Sequence, residues 1–184
     1  MVKKLILTLA AMLLASVVAA EPVINVATGI EFPDSIAGYE RVGVNNFETQ
    51  KPGLGYSYVY RTREGITASV YVFNLQLERV PDNVADPQIE AIRKMAADEV
   101  ILAAKMRGSS AEKTFSITDR VKTSRGLVNV DFDMFRTHGP TFITFTWIWT
   151  ARNHIFKIRL TPSPMVDTEH VRDFSDAIVR LSVE

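Results

Sequence analysis

Residues 126–160 read GLVNVDFDMFRTHGPTFITFTWIWTARNHIFKIRL, and their alternation decides the fold. Val128, Val130, Phe132 and Met134 alternate with Asn129, Asp131 and Asp133, the period of a strand with one apolar face. After Thr137-His138-Gly139-Pro140, Ile143, Phe145, Trp147 and Trp149 alternate with Thr144, Thr146, Ile148 and Thr150. A turn at Arg152-Asn153 follows, and Phe156, Ile158 and Leu160 then alternate with Ile155, Lys157 and Arg159. With a four-residue first loop and a two-residue second one, Val128 meets Trp149 and Phe156. Val130 then meets Trp147 and Ile158, and Phe132 meets Phe145 and Leu160. On the other face Asn129 meets Ile148 and Lys157, and Asp131 meets Thr146 and Arg159. A one-residue slip would mix the faces, so the pattern selects its own register. This predicts a three-stranded antiparallel meander.

Working outward, Tyr56 to Arg61 leads into a turn at Arg63-Glu64-Gly65, and Thr67 to Phe73 returns. Gly65 suits a type I turn closed by a glycine bulge, a position needing positive φ. That register sets Tyr56, Tyr58 and Tyr60 against Val72, Val70 and Ala68. Shorter strands are expected near Tyr39 to Val44 and at Thr114 to Val121. A helix opens with Asp86 as N-cap and Pro87 in its first turn and closes before Gly108. Ile89, Ile92, Ala96, Val100 and Ala103 form its stripe, beside Met95, Leu102 and Met106, and Glu99 interrupts it, an acid suited to a buried pair. A second helix starts near Asp167 and carries Val171, Phe174, Ile178 and Leu181 inward, with Arg180 near its end where the dipole favours a cation. Residues 21–184 are thus expected to form a single α+β domain. Its mostly antiparallel sheet, a hairpin plus the meander, is packed by two helices against the aromatic layer.

Upstream, Lys3 and Lys4 precede an apolar run from Leu5, and Val18-Ala19-Ala20 supplies the small residues of a cleavage site. Residues 1–20 read as a Sec-type signal peptide cut after Ala20, which places the protein in the periplasm or outside the cell. The run from Leu5 falls short of the ~20 residues of a membrane-spanning helix. The absence of cysteine excludes a lipid anchor at that site, disulfides, thiol catalysis and thiolate metal centres. Across the chain 21 basic side chains balance 21 acidic ones, which argues against nucleic acid as a partner.

Chemistry is sparse. The 3 histidines, His138, His154 and His170, lack metal spacing with other ligands. Asp131 and Asp133 share a sheet face, and with His138 in the next loop they are the best catalytic or metal candidates, as in a hydrolase. A polar sheet face, with Arg159 and Lys157 nearby, accounts for them without chemistry. No GxSxG elbow or SxxK appears. Gly53-Leu54-Gly55 lacks the rest of a phosphate-binding pattern and reads as a loop. Phe132, Phe145, Trp147, Trp149 and Phe156 read as core, or as the floor of an apolar pocket. Tyr71 and Phe73, on the back of the hairpin, are expected to form a contact patch if no helix covers them.

Phe32-Pro33-Asp34-Ser35, with Pro52-Gly53-Leu54-Gly55-Tyr56-Ser57-Tyr58, looks like segments of small exported bacterial proteins of uncharacterised function. The order of elements over most of residues 30–182 resembles the PsbP-like α/β/α sandwich. That resemblance implies a non-enzymatic accessory or binding domain and supplies no site residues. The expectation is therefore an exported accessory domain without catalysis, without cofactor or metal, and without a membrane anchor once cleaved. Its partner would be an envelope protein. The alternative is a periplasmic carrier of a small apolar or amphipathic ligand held against the aromatic face.

Overall fold

A computed structural model describes residues 22–123, 126–137, 141–162 and 168–183; the expected signal peptide and the turn at residues 138–140 lie outside them. In chain order the elements are β1 (Val23–Ile24), β2 (Glu31–Phe32), β3 (Ser35–Ile36), β4 (Tyr39–Asn46), β5 (Tyr56–Arg61) and β6 (Thr67–Phe73). After these come α1 (Pro87–Met106), β7 (Ala111–Thr123), β8 (Gly126–Thr137), β9 (Thr141–Ala151), β10 (His154–Thr161) and α2 (Thr168–Val183). Strands β3 to β10 form one antiparallel sheet of eight, ordered β3-β4-β5-β6-β10-β9-β8-β7, and β1 pairs with β2 apart from it.

The meander keeps the register its alternation demands. Val130 lies opposite Trp147, Phe132 opposite Phe145 and Asp131 opposite Thr146. Phe156 faces Trp149, and Ile158 faces Trp147. The Arg152-Asn153 turn has φ of 50° and 58°, the twist a two-residue hairpin loop needs to match its strands. In the hairpin, Tyr56, Tyr58 and Tyr60 oppose Val72, Val70 and Ala68. Gly65 sits at φ 87° and donates its N–H to Thr62 O at 3.1 Å.

Two features go beyond the expectation. The sheet is larger, because β7 runs 13 residues and pairs with β8 as a fourth strand of the meander, while β10 returns to pair with β6. The helices also take opposite faces. Helix α2 buries Val171, Phe174 and Ile178 against the tyrosines of β5 and the aromatic layer. Phe174 lies 4.4 Å from the Tyr39 ring and 5.4 Å from that of Tyr60.

Helix α1 covers the other face, where Ile89 and Ala96 pack on Phe73, Ile148 and Ile155. Asp86 caps it, accepting from Gln88 N–H at 2.8 Å. Its buried stripe is rotated from the expected one toward Ala97 and Ala104, leaving Met95, Leu102 and Met106 exposed. The reason is the sheet beneath: its central rows present Asp131, Lys157 and Arg159, so the helix turns charged side chains toward them.

Candidate functional site

The polar face of the meander is covered rather than solvated. Asp131 and Asp133 point toward α1, as alternation requires, and each is only 4% exposed. Their partners come from α1 and β7, not from Arg159 and Lys157. Arg93 Nη1 stands 2.7 Å from Asp131 Oδ1, and the Thr118 hydroxyl donates to the same oxygen at 2.7 Å. Ser116 Oγ donates to Asp133 Oδ1 at 2.6 Å, with Lys113 Nζ 3.7 Å from it.

Arg93 also holds Glu90 at 3.0 Å, and Arg120 reaches Glu90 at 2.8 Å. Burial pushes the Asp131 carboxyl above its ordinary range; the bonds from Thr118 and Arg93 oppose the rise and neighbouring Asp133 adds to it. Burial would raise Glu90 too, but hydrogen bonds from Arg120 and Arg93 outweigh it and hold that carboxyl below its usual range. Beside the pair lies a polar cavity of about 270 Å³, lined among others by Lys94, Asp98 and Lys113.

The candidate set is thus divided. The structure places Asp131 and Asp133 together and binds both into an ion network. His138 lies outside the described residues. Among the described residues no three His, Cys, Asp or Glu side chains are grouped to hold a metal ion. His154 sits by its own turn, with Nδ1 2.9 Å from Arg152 O.

The Gly53-Leu54-Gly55 loop does form an anion cradle, but the chain fills it. Gly53 N–H donates to Glu48 Oε2 at 3.0 Å and Gly55 N–H to Oε1 at 2.6 Å, with both glycines at positive φ. Converging N–H groups of this kind bind an anion, here a side chain five and seven residues back.

The aromatic layer is unevenly covered. Over β9 and β10 it is closed: Trp149 is 2% exposed, stacks on Phe156 at 5.3 Å, and donates its Nε1–H to Ser182 Oγ of α2 at 2.8 Å. Toward β7 the same face opens. Rings run in contact from Trp147 through Phe145 and Phe132 to Phe115, and exposure rises along that line. Phe115 is 46% exposed, Ile117 53% and Val121 45%.

Tyr71 and Phe73, expected as an exposed patch, are instead packed under α1 beside Ile89 and Ile92. A surface that does remain open, at Phe115, Ile117 and Val121, was not singled out from the residues alone. Its signal was present in Phe115, Ile117 and Val121 alternating with Ser116, Thr118 and Arg120, but alternation marks an apolar face without saying whether anything covers it.

Among the described residues no helix is long and apolar enough to cross a membrane. No family model matches the sequence, and no curated protein does. Among solved structures, the fold is similar to the solution structure of cyanobacterial PsbP (CyanoP) from Synechocystis sp. PCC 6803. Identity is 12%, the match covers 78% of this chain and 85% of that one, and the TM-score is 0.47. No family, activity or partner is drawn from this likeness.

Proposed function

We propose that this chain is an exported, non-catalytic accessory domain that works by docking through the open half of its aromatic face. The observation that carries this is the exposure of Phe115, Ile117 and Val121 beside half-buried Phe132 and Phe145, where the same aromatic face over β9 and β10 lies beneath α2. Contiguous apolar surface of this kind marks contact sites on folded domains. The buried carboxylates support the non-catalytic part, since Asp131 and Asp133 are already engaged by Arg93, Thr118, Ser116 and Lys113. The signal-like residues 1–20 support export. The carrier alternative loses its expected seat, because α2 fills the ground against Trp149.

The test is site-specific photocross-linking in the cells that make the protein. A cross-linker in place of Ile117 captures a defined partner, whereas one in place of Met95, equally exposed on the far side of the molecule, does not. Adducts at neither position, or the same adducts at both, overturn the reading.

A further inference from the structure

We infer that β7 is a dimerisation edge, paired antiparallel about Ser116 with β7 of a second copy of this chain. The inference rests on the docking reading of the open face and names one occupant of its border. Strand β7 ends the eight-stranded sheet, and no described strand lies on its outer side. Every residue from Glu112 to Lys122 is exposed. An open edge of this length presents a ladder of backbone donors and acceptors ready for another strand.

The sequence of the edge specifies which strand. Reversed about Ser116, Thr114–Thr118 is its own complement. Phe115 meets Ile117 on the aromatic side, and Thr114 meets Thr118 on the other. A two-fold axis makes each of these contacts twice, as an isologous interface requires.

The neighbouring registers are worse. Odd shifts set the apolar face of one copy against the polar face of the other. Centring on Ile117 places Phe115 on Asp119, and centring on Thr118 places Ile117 on Asp119. Centring on Asp119 or Arg120 opposes a charge to itself, which destabilises a cross-strand pair. Centring on Phe115 sets Ile117 against Lys113.

The bulge between Lys113 and Phe115 turns Lys113 toward α1, where it lies 3.7 Å from Asp133. Beyond the bulge the faces of β7 exchange, so Glu112 keeps to Arg136 and Arg120 to Glu90, and the outer charges do not pair across the seam. The Phe115–Ile117 pairs carry the apolar contact, and pairing joins the two open half-faces along their shared border.

The chain has no cysteine, so a single introduced thiol reports the register. Residues directly opposite in an antiparallel pair lie about 4.5–5.5 Å apart at Cα, within the roughly 4.4–6.8 Å of a disulfide. Ser116→Cys is therefore expected to oxidise to a covalent dimer. Thr118→Cys is not, because its counterpart lies four residues further along, roughly 13 Å away.

The wild-type chain, purified from the cells that make it, is expected to run at twice the monomer mass by light scattering. Ile117→Lys, at an exposed position, is expected to weaken association at least about tenfold. A wild-type chain that stays monomeric up to about 100 μM, or equal cross-linking at positions 116 and 118, overturns the dimer. If the chain is monomeric and Ile117 still captures a different protein, the dimer fails and the docking reading stands. If the dimer forms and Ile117 captures nothing else, the dimer stands and the wider reading fails.

Discussion

Glu99 Oε2 on α1 lies 2.7 Å from Lys157 Nζ on β10, and the two side chains are 48% and 7% exposed. The acid that interrupts the apolar stripe of α1 is the counter-ion of an ammonium buried in the sheet. Arg159 joins it at 3.1 Å, and the Tyr71 ring lies 4.4 Å beneath the ammonium. Removing one partner of such a pair leaves a charge in a poor solvent for it, which costs more than the pair contributes. Glu99→Ala is expected to lower stability by about 1–2 kcal/mol, toward the low end because Glu99 is half solvated. Lys157→Met, which removes the buried charge itself, is expected to cost less. Urea unfolding of both variants checks the order, and a larger loss for Lys157→Met contradicts it.

The same lysine sets an alkaline stability profile. Burial pushes Lys157 below its ordinary value of 10.5, and Glu99 opposes the fall. Between the folded value and 10.5 the unfolded chain binds the extra proton, so stability rises with pH across that window. Burial pushes Tyr60, Tyr58 and Tyr39 above their ordinary 10.0. Above pH 10 the unfolded chain releases protons that the native one keeps, and stability falls. Urea midpoints are therefore expected to climb above neutral pH and then drop beyond about pH 10. Lys157→Met is expected to lose the climb and keep the drop; a climb that persists in this variant would refute the assignment.

Two glycines at positive φ separate conformational strain from steric exclusion. At Gly65, φ +87°, an added Cβ meets nothing within 4 Å; at Gly55, φ +70°, it would stand 1.8 Å from Val72 O. Gly65→Ala is expected to cost about 1 kcal/mol through backbone strain alone. Gly55→Ala must also push β6 away and disturb the Glu48 cradle, a loss of several-fold more, of order 4 kcal/mol. Thermal unfolding of the two variants compares them directly. Equal losses would mean that the loop relaxes freely.

Arg93 is expected to matter through Asp131. Arg93→Leu strands a carboxylate that is 4% exposed and should cost about 3 kcal/mol. Adding Asp131→Asn, which removes the stranded charge and leaves Thr118 an acceptor, should restore part of that loss. A double mutant no better than the single one would show that Arg93 acts by packing.

Much of the fold is legible in the residues. Trp147 falls opposite Val130 and Ile158 because the aromatic and aliphatic side chains hold every second position on all three strands, and a one-residue slip would set them against Asn129, Asp131, Lys157 and Arg159. The position of Asp86 is equally local, since a cap and the proline behind it concern one turn of backbone. The Asp131–Arg93 pair is not local. Asp131 is visible as a polar residue on a strand, but nothing near it in sequence marks an arginine 38 positions earlier. Tyr71 and Phe73 went astray for the same reason: they look like an exposed aromatic patch until α1 is placed over them.

The sequence by itself determined the pairing of adjacent strands, the two helices and the division of each strand into an apolar and a polar face. Those follow from side-chain period and turn chemistry, which act over a few residues. Only the tertiary structure decided that β10 returns to β6, that the helices lie on opposite faces, and that the polar face is buried beneath charged side chains of α1. It also decided that the aromatic face stays open at Phe115, Ile117 and Val121. Such choices depend on how elements far apart in the chain share one sheet, and α2, at 16 residues, covers only part of eight strands.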